Sequence, residues 1–340
     1  KLNLGLELRL FDKVELQADY FSETRSNILM ERSNLPSSMG LEASVEANVG
    51  RASSHGFEGA LSYQHSFSEN FFITANANFT YATSEYLVAD EPDYAASGLP
   101  WRSHIGYSLN QEWGYVAERL FIDEADIANS PTQTFGPYMP GDIKYKDINR
   151  DGKIDESDQV PIGFPTEAEI NYGFGATIGY KGFDFSFFFN GLGRKTFFID
   201  AQQMAPFNNP PIKYAGVGGY TRKTALFREF ADSHWSESNP NAYAVWPRLA
   251  TEAYDNSNNY QKSTWWMRNG SFLRLKLIEL GYTLPRSLTR KIRIEDLRIY
   301  ISGSDLFSLS NFKMWDVEMG GMGIGYPIQK RFNIGLQVKF

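Results

Sequence analysis

The sequence predicts an all-β fold, part of a transmembrane antiparallel β-barrel with about nine spanning strands. Three observations carry that reading. First, apolar residues recur at every second position along much of the chain. In the closing stretch IQKRFNIGLQVKF, Phe332, Ile334, Leu336, Val338 and Phe340 alternate with Arg331, Asn333, Gly335, Gln337 and Lys339. Successive side chains of a strand point to opposite faces, so such a stretch has one apolar and one polar face. Second, short turns alternate with long connections, the asymmetry of outer-membrane barrels rather than of soluble sandwiches. Third, no run of about 18 apolar residues is present that would cross a bilayer as a helix.

The strands follow in order. Leu2, Leu4, Leu6, Leu8 and Leu10 form one apolar face; after a turn at Phe11-Asp12-Lys13, Val14, Leu16, Ala18 and Tyr20 form the next. A second hairpin runs from Phe57, Leu61 and Tyr63 through Ser68-Glu69-Asn70 to Phe71, Ile73, Ala75, Ala77, Phe79 and Tyr81. A third has Ile170, Tyr172, Phe174, Ala176, Ile178 and Tyr180, a turn at Lys181-Gly182, then Phe183, Phe185, Phe187 and Phe189. The fourth pair covers about 270–284 and 296–309. Its phase slips from Leu273, Leu275 and Leu277 to Ile278, Leu280 and Tyr282, which predicts a β-bulge. The last strand closes the chain. Long loops are predicted at about 32–53, 88–167, 196–265 and 311–327, all at the extracellular end. Direction must alternate between neighbouring strands, so the isolated candidate at 102–121 cannot be one extra span and is assigned to the loop 88–167. Nine strands are few for a bacterial barrel, so the chain is expected to be incomplete on its N-terminal side.

Composition agrees with this reading. There are 26 Phe and 19 Tyr among 340 residues. The mean hydropathy is only -0.39 because half of each alternating strand is polar. A net charge of -7 gives no reason to expect nucleic acid as a partner, and the lack of cysteine excludes disulfide and thiolate-metal scaffolds. The opening KLNLGLELRL reads as a strand rather than a signal peptide, so the chain is expected to start within a mature protein or to be a piece of a longer one.

The sharpest local motif is Asp147–Asp158, which fits the calcium-loop spacing D-x-N-x-D-G-x-I-D-x-x-D. Asp147, Asn149, Asp151, the Lys153 carbonyl, Asp155 and Asp158 are the expected oxygen ligands of a structural Ca2+. Gly152 would permit the turn and Ile154 would anchor the loop inward. The flanks GDIKYK and QVPIGFP do not read as helices, and an acidic turn without an ion fits the same residues. His55, His65, His104 and His234 are scattered, and no nucleotide-binding or nucleophile motif occurs, so no enzymatic activity is expected. Trp101, Trp113, Tyr138, Trp235, Trp246, Trp265, Trp266 and Trp315 lie in predicted loops. They suit either a stacking platform for sugars and peptides or loop packing plus an interfacial girdle.

Several stretches in this order resemble one family: WGYVAERLF (113–121), GDIKYKDINRDGKID (141–155), YKGFDFSFFFNGLG (180–193), HWSESNPNAYAVWPRL (234–249), SFLRLKLIELGYTLP (271–285), LRIYISGSDLFSLSNF (297–312) and GYPIQKRFNIGLQVKF (325–340). They are similar to the C-terminal half of SusC/RagA-type TonB-dependent outer-membrane transporters of Bacteroidetes. The resemblance implies the C-terminal part of a plugged barrel of about 22 strands, with the plug and TonB box expected outside this chain. It implies import of oligosaccharides or peptides with a SusD-like surface lipoprotein, and TonB acting through the plug-bearing remainder. The terminal Phe340 resembles the outer-membrane assembly signal. The alternative from another class is a β-rich surface binding protein or adhesin that does not transport. It would need the apolar faces buried against a second sheet.

Overall fold

A computed structural model of the chain describes all residues except 34, 36, 41–42, 208–225, 251–256 and 291–292, so parts of the predicted loops 32–53 and 196–265 lie outside the described residues. Nine long strands form one sheet: β1 (Leu2–Leu10), β2 (Val14–Glu31), β3 (Glu46–Ser68), β4 (Phe71–Val88), β5 (Ile170–Tyr180), β6 (Phe183–Gly193), β7 (Phe272–Thr283), β8 (Asp296–Ser310) and β9 (Arg331–Lys339). Each strand pairs antiparallel with the next in the chain, so the sheet is an uninterrupted meander. Residues 102–121 stay outside it. They contribute only the short strands Glu112–Gly114 and Ala117–Leu120, which pair with other loop segments.

The turns at one end are as tight as their residues allow. Phe11 and Asp12 both take left-handed conformations, as do Lys181 and Gly182, the geometry that matches the twist of a two-residue hairpin. At Gly182 (φ +85) an added Cβ would also sit 2.8 Å from the Thr283 carbonyl. The bulge falls where the phase slips. The register of β7 against β8 shifts between Leu275 and Leu277, and Lys276 reaches Asp305 of β8 at 2.8 Å. The extra residue returns Ile278 and Leu280 to the face already occupied by Leu273 and Leu275.

One boundary differs from the sequence expectation. The loop expected at 32–53 starts where it was expected, after Glu31, but is shorter because β3 begins at Glu46. A membrane-crossing strand needs only about 9–11 residues, and β2 has 18 and β3 has 23. Their apolar alternation fades beyond the membrane-crossing length, whereas backbone pairing continues, with irregularities beside the left-handed Asn27.

The buried core does not lie under the sheet. It is drawn from the long connections 89–169, 194–271 and 311–330, which pack together as a cap around Trp266, Tyr145, Phe230, Leu120, Ile143 and Met204. Backbone bonds stitch the segments to one another: Tyr115 N–H to the Lys262 carbonyl (2.9 Å), Ile199 N–H to that of Trp266 (2.9 Å) and Asp200 N–H to that of Gly321 (3.1 Å).

Candidate functional site: apolar belt, polar wall and loop cap

The register turns separate alternations into continuous rows. Leu8, Leu16, Leu61, Ala77, Phe174, Phe189, Leu275 and Phe307 lie side by side from β1 to β8. The next row but one runs His65, Ile73, Ile178, Phe185, Leu280, Ile301 and Ile334. These side chains stand clear of other protein: Ile334 is 84% exposed, Leu6 51% and Phe174 40%. Soluble monomers rarely expose one contiguous apolar patch of this extent, and no second sheet covers it among the described residues. A run of rings edges the belt at the short-turn end. Phe67 stacks on Phe71 (4.9 Å between centroids), Phe71 meets Tyr180 (6.2 Å), and Phe183 meets Tyr282 (4.4 Å). This is the aromatic girdle of a membrane barrel, and it is built from strand ends. The loop tryptophans expected to share that task belong to the cap instead: Trp235, Trp246 and Trp266 are buried, and Trp101, Trp113, Trp265 and Trp315 half-buried, as is Tyr138. Two of the short turns, 68–70 and 181–182, are bracketed by aromatic residues in the sequence (Phe67 and Phe71, Tyr180 and Phe183), which is the signal that would have located the girdle.

The opposite face is polar. Thr74, Asn76, Asn78 and Thr80 of β4 lie beside Thr177, Gly175, Gly173 and Asn171 of β5. Nearer the short turns, Arg298 of β8 binds Asp184 of β6 (Nε to Oδ1, 2.9 Å) and Glu279 of β7 (2.6 Å), tying three strands together. Toward the long loops the polar face holds a cleft of about 770 Å³, lined by Asp19, Phe21, Glu23, Arg25, Glu58 and, from a loop, Leu109. Glu23 is taken up by Arg25 at 2.6 Å. Asp19 and Glu58 sit directly opposite each other across β2 and β3, and like charges so placed are destabilising. No local pattern marks this cleft in the sequence, because β2 and β3 meet there from different hairpins.

The acidic loop folds as a chain of Asx turns. Asp147 Oδ1 accepts from the Arg150 N–H (2.6 Å) and its Oδ2 from Gly152 (2.9 Å); Asn149 accepts from Asp151 (3.0 Å), and Asp151 from Lys153 (2.9 Å). Asp155 caps the short helical turn Glu156–Asp158. Gly152 has φ +85 and Ile154 is fully buried. The structure places Asp158 apart from the exposed oxygens. Its buried carboxylate accepts from Ile148 (2.7 Å), Asn149 (3.4 Å) and Asp155 (2.9 Å), and burial pushes its pKa up. Asp147, Asn149 and Asp151 therefore fit a hard cation through lone pairs that face solvent, while Asp158 fits better as the lock that closes the loop. Among the described residues no three acidic or histidine side chains converge closely enough to hold an ion.

The histidines are apart as well. His65 lies against Phe67 (4.2 Å) in the belt, and His104 against Trp113 (4.1 Å) in the cap.

An apolar outer face, a polar inner wall and tight turns at one end only define part of a membrane β-barrel. Residues 1–153 match the family described as "TonB dependent receptor-like, beta-barrel", and the fold of the chain is that of a portion of such a barrel. It is similar over its whole length to TonB-dependent receptor P3 of Formosa agariphila, at 24% identity and covering 34% of that protein. It is 21% identical to TonB-dependent receptor SusC of Bacteroides thetaiotaomicron, over 94% of this chain and 29% of the relative. The solved structure of the RagAB peptide transporter matches 99% of this chain and 35% of the solved one, with a TM-score of 0.67 at 20% identity, and so shows the same fold. The chain spans about a third of the length of the curated relatives it matches.

Proposed function

We propose that this chain is the C-terminal wall of an outer-membrane importer energised by TonB, working with a plug-bearing remainder and a SusD-like surface lipoprotein. The observation that carries the proposal is the belt of apolar side chains held in register across nine strands, which suits lipid and nothing polar. In this reading the polar wall lines the lumen. The cleft beside Asp19 and Glu58 faces the cargo, an oligosaccharide or a peptide, and the cap forms the extracellular mouth. No group of catalytic side chains is assigned, and the chemistry of import would be passive on this wall: it binds, orients and releases. The adhesin reading is disfavoured because no second sheet covers the belt among the described residues.

The test is native purification from outer membranes in detergent, with mass spectrometry of everything that co-purifies. Recovery with a plug and further barrel strands, and with a surface lipoprotein, supports the importer; a monomer stable without detergent overturns it. We further propose that the loop 147–158 takes one Ca2+, with Asp147, Asn149, Asp151 and the Lys153 carbonyl supplying oxygen ligands and Asp155 acting through water. Calcium titration of the purified receptor should show one saturable site that Asp151→Ala removes. Identical titrations for both proteins would leave a hydrogen-bonded turn without an ion.

A further inference from the structure

The cap carries a groove on its outer surface that the import reading does not use. One wall comes from residues 122–124 and 139–140, the other from 234–240 and 248–249, and together they enclose about 800 Å³. The base is rigid. Trp235 lies flat on Gly141 (φ +87), where an added Cβ would fall 2.3 Å from the indole, and the Arg248 N–H donates to the Gly141 carbonyl at 3.0 Å. Ile122 and Met139 are exposed beside Leu249, which gives the groove an apolar floor.

Its rim is acidic. Asp123, Glu124 and Glu237 line it, and no salt bridge joins any of the three to a cation among the described residues. The nearest cations are committed elsewhere. The Arg248 guanidinium is bound to the buried Asp142 at 2.8 Å. The His234 ring nitrogen Nδ1 lies 3.0 Å from the Phe230 carbonyl and 2.9 Å from that of Ala231. Trp235 itself is nine-tenths buried, and its indole N–H has no acceptor among the described residues.

We infer that this groove docks a segment of a partner polypeptide that presents cationic side chains among apolar ones. The apolar floor takes the aliphatic side chains and the carboxylate rim takes the cation. A sugar offers no counterpart to the unbalanced negative rim, and an anionic segment is repelled by it. The inference holds whether or not the barrel transports, since the groove lies on the outside of the cap, away from the polar wall.

The test uses the complete receptor in detergent and two fluorescein-labelled hexapeptides, Ala-Leu-Lys-Pro-Lys-Leu and its counterpart with glutamate for both lysines. The lysine peptide should bind saturably and the glutamate peptide at least tenfold more weakly. The double variant Glu124→Gln/Glu237→Gln should lose about five- to tenfold in affinity, the size expected for two partly exposed ion pairs, and 0.5 M salt should erase most of that difference. If the double variant disturbs the cap, Glu237→Gln alone gives the same reading at about half the effect on a logarithmic scale. Equal affinity of the variants and the parent, or no saturable binding of the lysine peptide, overturns the inference.

Discussion

The sheet and the cap sort their hydrophobic residues in opposite senses. In the sheet, most of the large apolar side chains of β1 to β9 point away from the protein, and the residues turned inward are mainly amides, hydroxyls, glycines and charges, with a few rings such as Phe21, Phe72 and Phe188 among them. In the cap, Trp266, Tyr145, Phe230 and Ile154 are sealed from solvent, as in a water-soluble domain. The same physics acts on both. Apolar surface leaves water wherever it can, and for the sheet the only available apolar phase is the bilayer, while the cap supplies its own. The cap sits on the ends of strands whose lengths exceed the membrane's need, so the change of solvent falls within single strands such as β3.

Two substitutions should break the molecule at one region and spare the other. Trp266 is buried against Trp246 at 4.8 Å and donates its indole N–H to the Asn259 carbonyl at 2.7 Å. Trp266→Ala should cost the cap about 3–5 kcal/mol. The expected readout is rapid cleavage within 194–271 by added protease, with the heat-resistant electrophoretic mobility of the folded barrel unchanged. The converse is Phe174→Arg, three same-face positions from the girdle residue Tyr180 and so in the middle of the belt. A charge there should cost about 2–4 kcal/mol against the bilayer midplane, and barrel assembly in the outer membrane should fall while any cap that does form keeps its protease resistance. Loss of barrel assembly in the first variant, or normal assembly in the second, would remove the distinction drawn between the two regions.

A smaller effect tests how the cap is knitted. Asn259 accepts the Ile143 N–H at 2.9 Å and donates to Asp142 at 2.7 Å, both fully buried. Asn259→Ala leaves a buried donor and a buried carboxylate short of partners, and should cost about 1–3 kcal/mol. Thermal unfolding followed by tryptophan fluorescence should show the cap transition lowered and any barrel transition unmoved.

The sheet was legible in the sequence because period two is a local signal. Every spanning strand could be recognised from its own residues, and the bulge at Leu275 to Leu277 from a slip of one position. The cap was not legible, since its partners are far apart in the chain: Gln133 bonds Asn258, Tyr115 bonds Lys262, and Asp200 bonds Gly321. Nothing about Gln133 or Asn258 taken alone marks them as buried. For the same reason the loop tryptophans were open to a girdle reading until their burial was seen. The early start of β3 escaped because an alternation test detects a difference between two environments, and above the membrane both faces meet water. The acidic loop was legible as a motif, yet the division of labour between Asp151 and the buried Asp158 depends on which oxygens the backbone claims.

The mildest perturbation is acid, and in the cap it should act through Asp126. Asp126 is held by the Arg119 guanidinium through two contacts of 2.5 and 2.9 Å, with the Ile122 N–H at 3.1 Å and Lys144 at 3.2 Å. The hydrogen bonds from Arg119 hold its carboxyl well below the usual carboxylate range, burial opposing them. A carboxyl depressed on folding adds stability that is fully present above its unfolded pKa, about 3.9, and is lost as the pH falls toward the folded value. Between pH 7 and 5 this contribution should not change. Below about pH 4 the cap should become progressively easier to unfold. Asp126→Asn should remove most of that acid dependence while lowering cap stability at neutral pH. The measurement is the fluorescence-detected cap transition as a function of pH for both proteins; an acid dependence unchanged by Asp126→Asn would assign it to other carboxylates. The belt rows contain no carboxylate to protonate, but the polar wall does, in Asp184 and Glu279 bound to Arg298. It is therefore the difference between the Asp126→Asn variant and the parent in the cap transition that assigns the effect to the cap.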